Sequence, residues 1–492
     1  VRWIQKWPGR AQANENKVPT VLSYGAGREN VQEWGFQAKT SAAKHRDGIR
    51  EWFKTYLDPV CLGNRILSDS GDKITHEEVR HWYIDFFGAL HNHIKHKLSA
   101  ELLGISWTAA KIEFIFSVPT TWSPRIVELF RELIGQAGFG DTACANHIIT
   151  IGLTEPEAAA VHTSTTAPGM FEDGDILVVC DAGGGTTDLS ALQVTHTTSA
   201  ALATKQLRQV DVVSGENIGS AAIDSAFERL AERRLRLAEG IAERGVEPSE
   251  AAWQMTRGSH FQNTKCEHGA PDDTPQFSIP IPQLDAHYVS VEAGIEGAEM
   301  HFNQLDLQAL FDEQIEKLFM LIDQQLSDLS KKMPTKSVKY LILSGGLGQS
   351  PYVQERLKKR YGNSSLASTN AQAMHVYIAP DPQLAVCKGL IVDRLQKLRV
   401  GQGVLGWRCC RASYGLICKE LYDKSNPKHN NCTTQKDPKD RELYVHNRID
   451  WLVVKVSNCH GINMYTSSRT IGNPSVDRSA HCAWLPSEDH SR

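Results

Sequence analysis

The stretch Ile176-Leu-Val-Val-Cys-Asp181-Ala-Gly183-Gly184-Gly185-Thr186-Thr187-Asp188-Leu-Ser-Ala-Leu-Gln-Val194 constrains this chain more than any other. An apolar run ends in an acid, then come three glycines, two threonines and a second acid, and apolar residues return at alternate positions. The pattern predicts strand, tight turn, strand. Glycine lacks a Cβ, so its backbone N–H groups can approach a ligand and cradle phosphate oxygens. Thr186 and Thr187 add hydroxyl donors, and Asp181 and Asp188 stand where carboxylates could hold a hydrated Mg²⁺. Taken alone, the same run also fits an ordinary glycine-rich hairpin.

With 492 residues, 41 % of them hydrophobic, the chain is long enough for several cores. A net charge of −4 offers no electrostatic attraction to nucleic acid or to an anionic membrane, and neither is expected as a partner. There is no apolar run of about 18 residues and no signal peptide, so the expectation is a soluble cytoplasmic protein. Eleven cysteines, an odd number with no C-x-x-C pair, argue for reduced thiols rather than a disulfide framework or zinc ribbon.

Along the chain, strands are expected at Val18–Tyr24, Trp34–Lys39, Lys111–Val118 and Ile148–Leu153. Helical spacing runs through Arg50–Leu57, Thr75–Leu103 and Ser123–Gly138, the second opening on a Thr75/Glu78 capping box. His91, His93 and His96 do not share one helix face, which favours a mixed surface over a metal site. Glu155 falls at the end of a strand, just before Pro156 and the helix of Ala158-Ala159-Ala160; the position suits chemistry and suits a helix macrodipole equally. Leu207–Val213 reads as a strand, Gly215-Glu216 as a turn into a helix over Ile218–Ile241, and Glu228, Arg229, Glu232, Arg233, Arg234 and Arg236 as a solvated charged face. Trp253–Lys265 is weakly helical, and Glu267–Pro282 reads as a surface connection leading to a strand at Tyr288–Val291 and a helix at Leu307–Leu329. Val338–Ser344 repeats the strand-then-glycine pattern at Gly345-Gly346-Leu347-Gly348, with a helix over Pro351–Tyr361 and another over Gln383–Arg399. Short strands are expected beyond Arg399, and little stable structure from Ser457 to Arg492.

Three motifs, Ile115–Pro119 with Thr154–Ala160, the Asp181–Asp188 hairpin, and Ser344–Gly346 with Pro351, resemble the seventy-kilodalton heat-shock protein family of the actin-like ATPase superfamily. Trp7–Gly9, Trp34–Phe36 and Ser413–Gly415 look most like its atypical heat-shock seventy-kilodalton protein 12-like branch, abundant in fungi. The likeness spans about Val18–Leu398. It implies an α/β, two-lobed actin-like ATPase (ribonuclease H-like) fold with glycine turns from the two lobes facing a nucleotide cleft. The first lobe would cover 1–175 and the second 176–399, with a short β-containing extension over 400–456 and a disordered tail over 457–492. The resemblance further implies ATP/ADP and Mg²⁺ as cofactors. Asp181 and Asp188 would lie near the metal, Gly183, Gly184, Gly185, Thr186 and Thr187 around the phosphates, and Thr186 at the γ-phosphate. Glu155 would orient the attacking water, and Lys54, which follows Lys39 by the family's interval, would be the catalytic lysine. Gly345, Gly346 and Gln349 would approach the adenosine, and Glu216, Gln262 and Lys265 would line the nucleoside. Unfolded peptides or co-chaperones are the implied partners.

The family's N-terminal phosphate hairpin, Asp-x-Gly-Thr-Thr, has no counterpart here, and the chain begins at Val1 rather than Met. The expectation is an N-terminally incomplete domain with slow hydrolysis. Gln349 stands where the family has an adenine-stacking arginine, and Leu347 where it has a polar residue, which predicts weaker nucleotide binding. No full peptide-binding sandwich or helical lid follows Arg399. A non-catalytic nucleotide-binding scaffold, or a small-molecule kinase of the same superfamily, remain alternatives to an ATP-driven chaperone.

Overall fold

The computed structural model of the chain describes residues 2–25, 30–68, 74–102, 104–167, 169–196, 205–272, 275–362, 370–372, 374–410 and 413–453. They fall into two compact units, Val1–Arg208 with Val213–Gly406, and Gln209–Val212 with Trp407–Arg492. The expected tail over 457–492 lies outside the described residues.

In the first unit, β1 (Val21–Tyr24) is the centre of an antiparallel sheet between β2 (Val31–Trp34) and, after helix α1 (Gly35–Ala42), β3 (Ile49–Glu51). Helices α2 (Pro59–Ser68) and α3 (His76–Ser99) follow. Thr75 caps α3 as its sequence announces: its hydroxyl accepts the Glu78 N–H, and the Glu78 carboxylate accepts the Thr75 N–H at 2.8 Å. The inward face of α3 (Val79, Trp82, Tyr83, Phe86) joins Leu22 of β1 and Phe114 of β4 (Ile112–Val118) in one aromatic-rich core. Helix α4 (Pro124–Gln136) covers that core; β5 (His147–Thr154) runs parallel to β4 and turns directly into α5 (Glu155–Thr166).

The chain continues through β6 (Ile176–Ala182), β7 (Thr187–His196), β8 (Lys205–Gln209) and β9 (Ser214–Glu216), then helices α6 (Ser220–Leu237), α7 (Pro248–Arg257) and α8 (Ser259–Glu267). A four-stranded antiparallel sheet, in the order β10-β13-β12-β11, is built from β10 (Gln276–Pro280), β11 (Val289–Ser290), β12 (Ile295–Glu296) and β13 (Glu299–Asn303). After α9 (Gln304–Lys332) come β14 (Val338–Ser344), α10 (Pro351–Leu357), β15 (His375–Ile378), α11 (Ala385–Val400) and β16 (Leu405–Trp407). The main sheet has the order β15-β14-β6-β7-β8-β16, with β9 also paired to β7. Every residue of β6 is buried, and Leu177 and Val179 pack with Ala158, Ala159 and Ala160 of α5. Burying one such aliphatic side chain contributes about 2 kcal/mol. The alanine run serves close helix packing: a Cβ on Gly389 of α11 would collide with the Ala158 carbonyl.

Several expectations give way here. Trp34–Lys39 is not a strand: Gly35 takes φ +61° and starts α1, and a window this short satisfies either period. Arg50–Leu57 is not one helix, because the chain leaves β3 through Trp52 at φ +57° before a 3₁₀ turn at Thr55–Leu57. Gly215 and Glu216 are strand residues, paired with Asp188 and Thr187. Within Glu267–Pro282, β10 pairs along its length with β13, a partner too distant in sequence to be read locally. On α6 the charges are not all solvated: Arg236 pairs with Glu232, but Arg234 reaches Asp306 and Glu228 binds the buried Arg257.

The second unit contains an antiparallel sheet in the order β17-β19-β18, from β17 (Tyr414–Leu421), β18 (Thr434–Lys436) and β19 (Leu443–Val453). Among the described residues of both units there are eleven α-helices, and none is long and apolar enough to cross a membrane.

Candidate functional site

Strands β6 and β14 are parallel neighbours, and their register sets Ser344 opposite Asp181. Both glycine turns therefore leave the same end of one sheet. The expectation that they belong to two facing lobes does not hold, since strands far apart in sequence pair directly. C-terminal ends of adjacent parallel strands are where α/β sheets place ligands. Gly345 takes φ +83°, and a Cβ there would meet the Ala182 carbonyl and stand 2.7 Å from Asp181 Oδ1. Only glycine allows that approach.

The Gly183–Thr186 turn is held from both sides. Gly183 N–H donates to Thr186 O at 2.9 Å, while Ala221 N–H at the start of α6 donates to Gly184 O, also at 2.9 Å. Helix α6 thus uses a first-turn donor that has no partner within the helix to fix the turn. A Cβ on Gly219 would stand 2.8 Å from Gly185 N, and one on Gly185 would stand 3.0 Å from Thr55 Cγ2. Gly184 and Gly185 themselves are exposed.

Beneath the turn, Asp181 and Asp188 are adjacent across the hairpin and both buried. Burial, then the nearby Glu155, pushes Asp181 up to about 7, against the pull of Lys17. Burial and Glu155 raise Asp188 to about 6, although hydrogen bonds from Thr120 oppose the shift. Thr186 Oγ1 donates to Asp188 Oδ2 at 2.9 Å, and Thr120 N–H donates to Asp188 Oδ1 at 2.7 Å. Thr187 turns away and donates to Ile218 O at 2.9 Å.

Two groups approach from the first half of this unit. Lys54 Nζ lies 2.5 Å from Glu155 Oε1, with 46 % of the lysine side chain exposed. Burial works against its charge, but Glu155 and then Asp188 and Asp181 outweigh it and hold Lys54 above the ordinary lysine value. Tyr83, almost fully buried on α3, donates its hydroxyl to Lys54 O at 2.6 Å. The positive φ of Trp52, two residues earlier, costs about 1–3 kcal/mol. Arg257 supports that bend: it lies 5.1 Å from the Trp52 ring, pairs with Glu51, and meets Glu228 at 2.6 Å.

The other expected residues have the following neighbours. Glu216 is exposed, opposite Thr187 in the sheet. Lys265 is buried and its ammonium lies 2.5 Å from Asp224, while Gln262 donates to Asp224 at 3.2 Å and to Thr256 O at 2.8 Å. The structure thus ties both side chains to Asp224 on α6, the helix whose first turn holds Gly184. Gln349 is half-buried in a 3₁₀ turn after Gly346, which is exposed. Thr120 and Tyr83 escape a reading of the sequence alone. Thr120 does carry a signal, since it follows a strand and Pro119, whereas nothing in the sequence distinguishes Tyr83 from any other core aromatic. Among the described residues no three His, Cys, Asp or Glu side chains cluster as metal ligands. A groove of about 790 Å³ lies elsewhere, between α4 and β5, lined by Arg131, Glu132, Asp141 and Ile149 among others.

A family described as "Domain of unknown function (DUF8568)" matches residues 408–484. The chain is similar to heat shock 70 kDa protein 12A of mouse and of human, in each case 23 % identical over 357 residues, 59 % of this chain and 49 % of the relative. The chain spans about half the length of the curated relatives it matches.

Proposed function

We propose that the end of the main sheet binds a nucleoside polyphosphate with Mg²⁺, as an ATP-binding protein of the seventy-kilodalton heat-shock type. The observation that carries this reading is the pairing of Asp181 with Ser344, which sets two glycine turns side by side above two buried carboxylates. The residues fit the ligand. Gly184 and Gly185 are exposed, so their amides suit phosphate oxygens, and Gly345, by lacking a Cβ, lets the second turn pass directly against Ala182 and Asp181. Mg²⁺ keeps several waters and needs only one or two carboxylates, so Asp181 and Asp188 suffice without a third ligand. When bound, the ion supplies charge neutralisation to the phosphates. Lys54 would add a positive charge and Glu155 an acceptor able to orient a water molecule, while Thr186, whose hydroxyl donates to Asp188, would hold that carboxylate in place. Such positioning and charge are most of what phosphoryl transfer to water demands. The similarity to heat shock 70 kDa protein 12A supports the same assignment.

The reading extends to slow hydrolysis of ATP, a cytoplasmic location, and unfolded peptides or co-chaperones as partners. A non-catalytic nucleotide-binding scaffold is the alternative reading. It is favoured by the Lys54–Glu155 ion pair, in which the two candidate catalytic groups occupy each other. Calorimetric titration with Mg²⁺·ATP and Mg²⁺·ADP, beside Asp181→Asn, decides between them together with phosphate release. Binding lost in the variant supports the site, and release of phosphate by the wild type supports hydrolysis. No binding by the wild type refutes the proposal.

A further inference from the structure

We propose that Thr120 is a positioning residue that fixes the Asp188 carboxylate so that only its Oδ2 is offered to a bound cation, and that this sets a preference for Mg²⁺ over Ca²⁺. The inference rests on the nucleotide reading above.

Thr120 follows β4 and Pro119, in the first half of the unit, yet it meets a carboxylate of the main sheet. Its N–H donates to Asp188 Oδ1 at 2.7 Å and its hydroxyl donates to the same oxygen, with Ser214 O at 3.0 Å as the other acceptor in reach. Thr186 Oγ1 takes one site on Oδ2. A carboxylate has about four lone-pair sites. Two are filled on Oδ1 and one on Oδ2, so a single site on Oδ2 is left. The sheet is shaped for this contact. Gly215 stands opposite Asp188, and a Cβ there would lie 2.5 Å from Thr120 Oγ1 and 2.6 Å from Asp188 Oδ1. Any side chain at 215 would displace the threonine. Mg²⁺ is small and octahedral, whereas Ca²⁺ accepts bidentate carboxylates in looser geometries. A carboxylate with one oxygen already saturated suits the first ion and disfavours the second.

The test is calorimetric ADP binding in saturating Mg²⁺, in saturating Ca²⁺ and in EDTA, for wild type, Thr120→Val, Thr120→Ser and Gly215→Ala, with melting temperatures recorded. Thr120→Val is expected to lose about 10-fold in Mg²⁺-supported ADP affinity, the scale of losing a partner that orients a metal ligand. Its ADP affinity in EDTA stays unchanged and its Ca²⁺-supported affinity falls less, so the Mg²⁺/Ca²⁺ ratio drops. Thr120→Ser restores that ratio, and Gly215→Ala, whose Cβ crowds both the Thr120 hydroxyl and Asp188 Oδ1, reproduces the defect. If Thr120→Val does not fold, the serine and alanine variants carry the comparison. A ratio equal to wild type in folded Thr120→Val or in Gly215→Ala, or an equal loss in all three media, overturns the inference while leaving the nucleotide site standing. Absence of ADP binding by the wild type with either metal overturns the nucleotide reading and this inference together.

Discussion

Lys54 and Glu155, 101 residues apart in sequence, meet with Nζ 2.5 Å from Oε1 at the edge of the buried Asp181–Asp188 pair. One residue follows the strained bend at Trp52, the other starts a helix at the end of β5, and neither is held by its immediate neighbours alone. Glu155→Gln keeps the shape and removes the charge. It is expected to lower the rate of Mg²⁺·ATP hydrolysis by about 100-fold, the low end of what a positioned base contributes. ADP affinity should stay within about threefold, since on the proposed hydrolytic reading the lost interaction belongs to the chemical step. Single-turnover phosphate release and calorimetry check both halves; equal losses in binding and rate would assign Glu155 to binding instead.

The carboxylate pair gives the ligand-free protein a pH dependence of definite sign. Both groups have native pKa values above the ordinary aspartate value of 3.8, about 7 for Asp181 and about 6 for Asp188. Between those limits the native state binds more protons than the unfolded chain, so the contribution of these groups to stability is present at low pH and is lost as pH rises from about 4 to about 7. Thermal melts across that range should show this component, and Asp181→Asn should flatten it. Mg²⁺ requires the deprotonated forms, so its binding should release protons and strengthen with pH up to about 7.

Gly345→Ala places a Cβ against the Ala182 carbonyl at φ +83°. The backbone conformation alone should cost about 2 kcal/mol in denaturant unfolding. The displacement of Asp181 should also abolish Mg²⁺-dependent ADP binding. Gly346→Ala is the control for the unfolding measurement alone, because a Cβ there meets no protein atom within 4 Å.

Arg257 is almost wholly buried between Glu51 and Glu228, with its guanidinium carbon 3.1 Å from the centre of the Trp253 ring. Arg257→Ala leaves two acids facing a buried gap. Urea unfolding of the first unit should show a loss of about 3 kcal/mol, because a broken buried pair leaves uncompensated charge. Hydrolysis should fall as well, as the Trp52 bend that leads to Lys54 loses its support.

Much of the site is legible locally. A run such as Ile176–Val194 can hardly do other than form a hairpin, since alternation, three glycines and flanking acids agree, and Thr75 with Glu78 marks a helix start by its own hydrogen bonds. Glu155 is legible for the same reason, as a residue at a strand end. The segment Trp34–Lys39 is ambiguous in sequence because a few residues fit two periods until Gly35 adopts a positive φ. β10 is hidden from local reading because its hydrogen-bond partner is a strand more than twenty residues later.

The amino-acid order by itself determined the local elements and the chemical menu: turns without side chains, acids at strand ends, hydroxyls beside them. Only the tertiary structure decided which of these meet. The parallel register of β6 with β14, the reach of Thr120 to Asp188 and the closure of Lys54 on Glu155 join segments from 68 to more than 150 residues apart. Such contacts are set by the burial of whole strands and helices in shared cores, a property of the assembled layers that no short window of sequence carries.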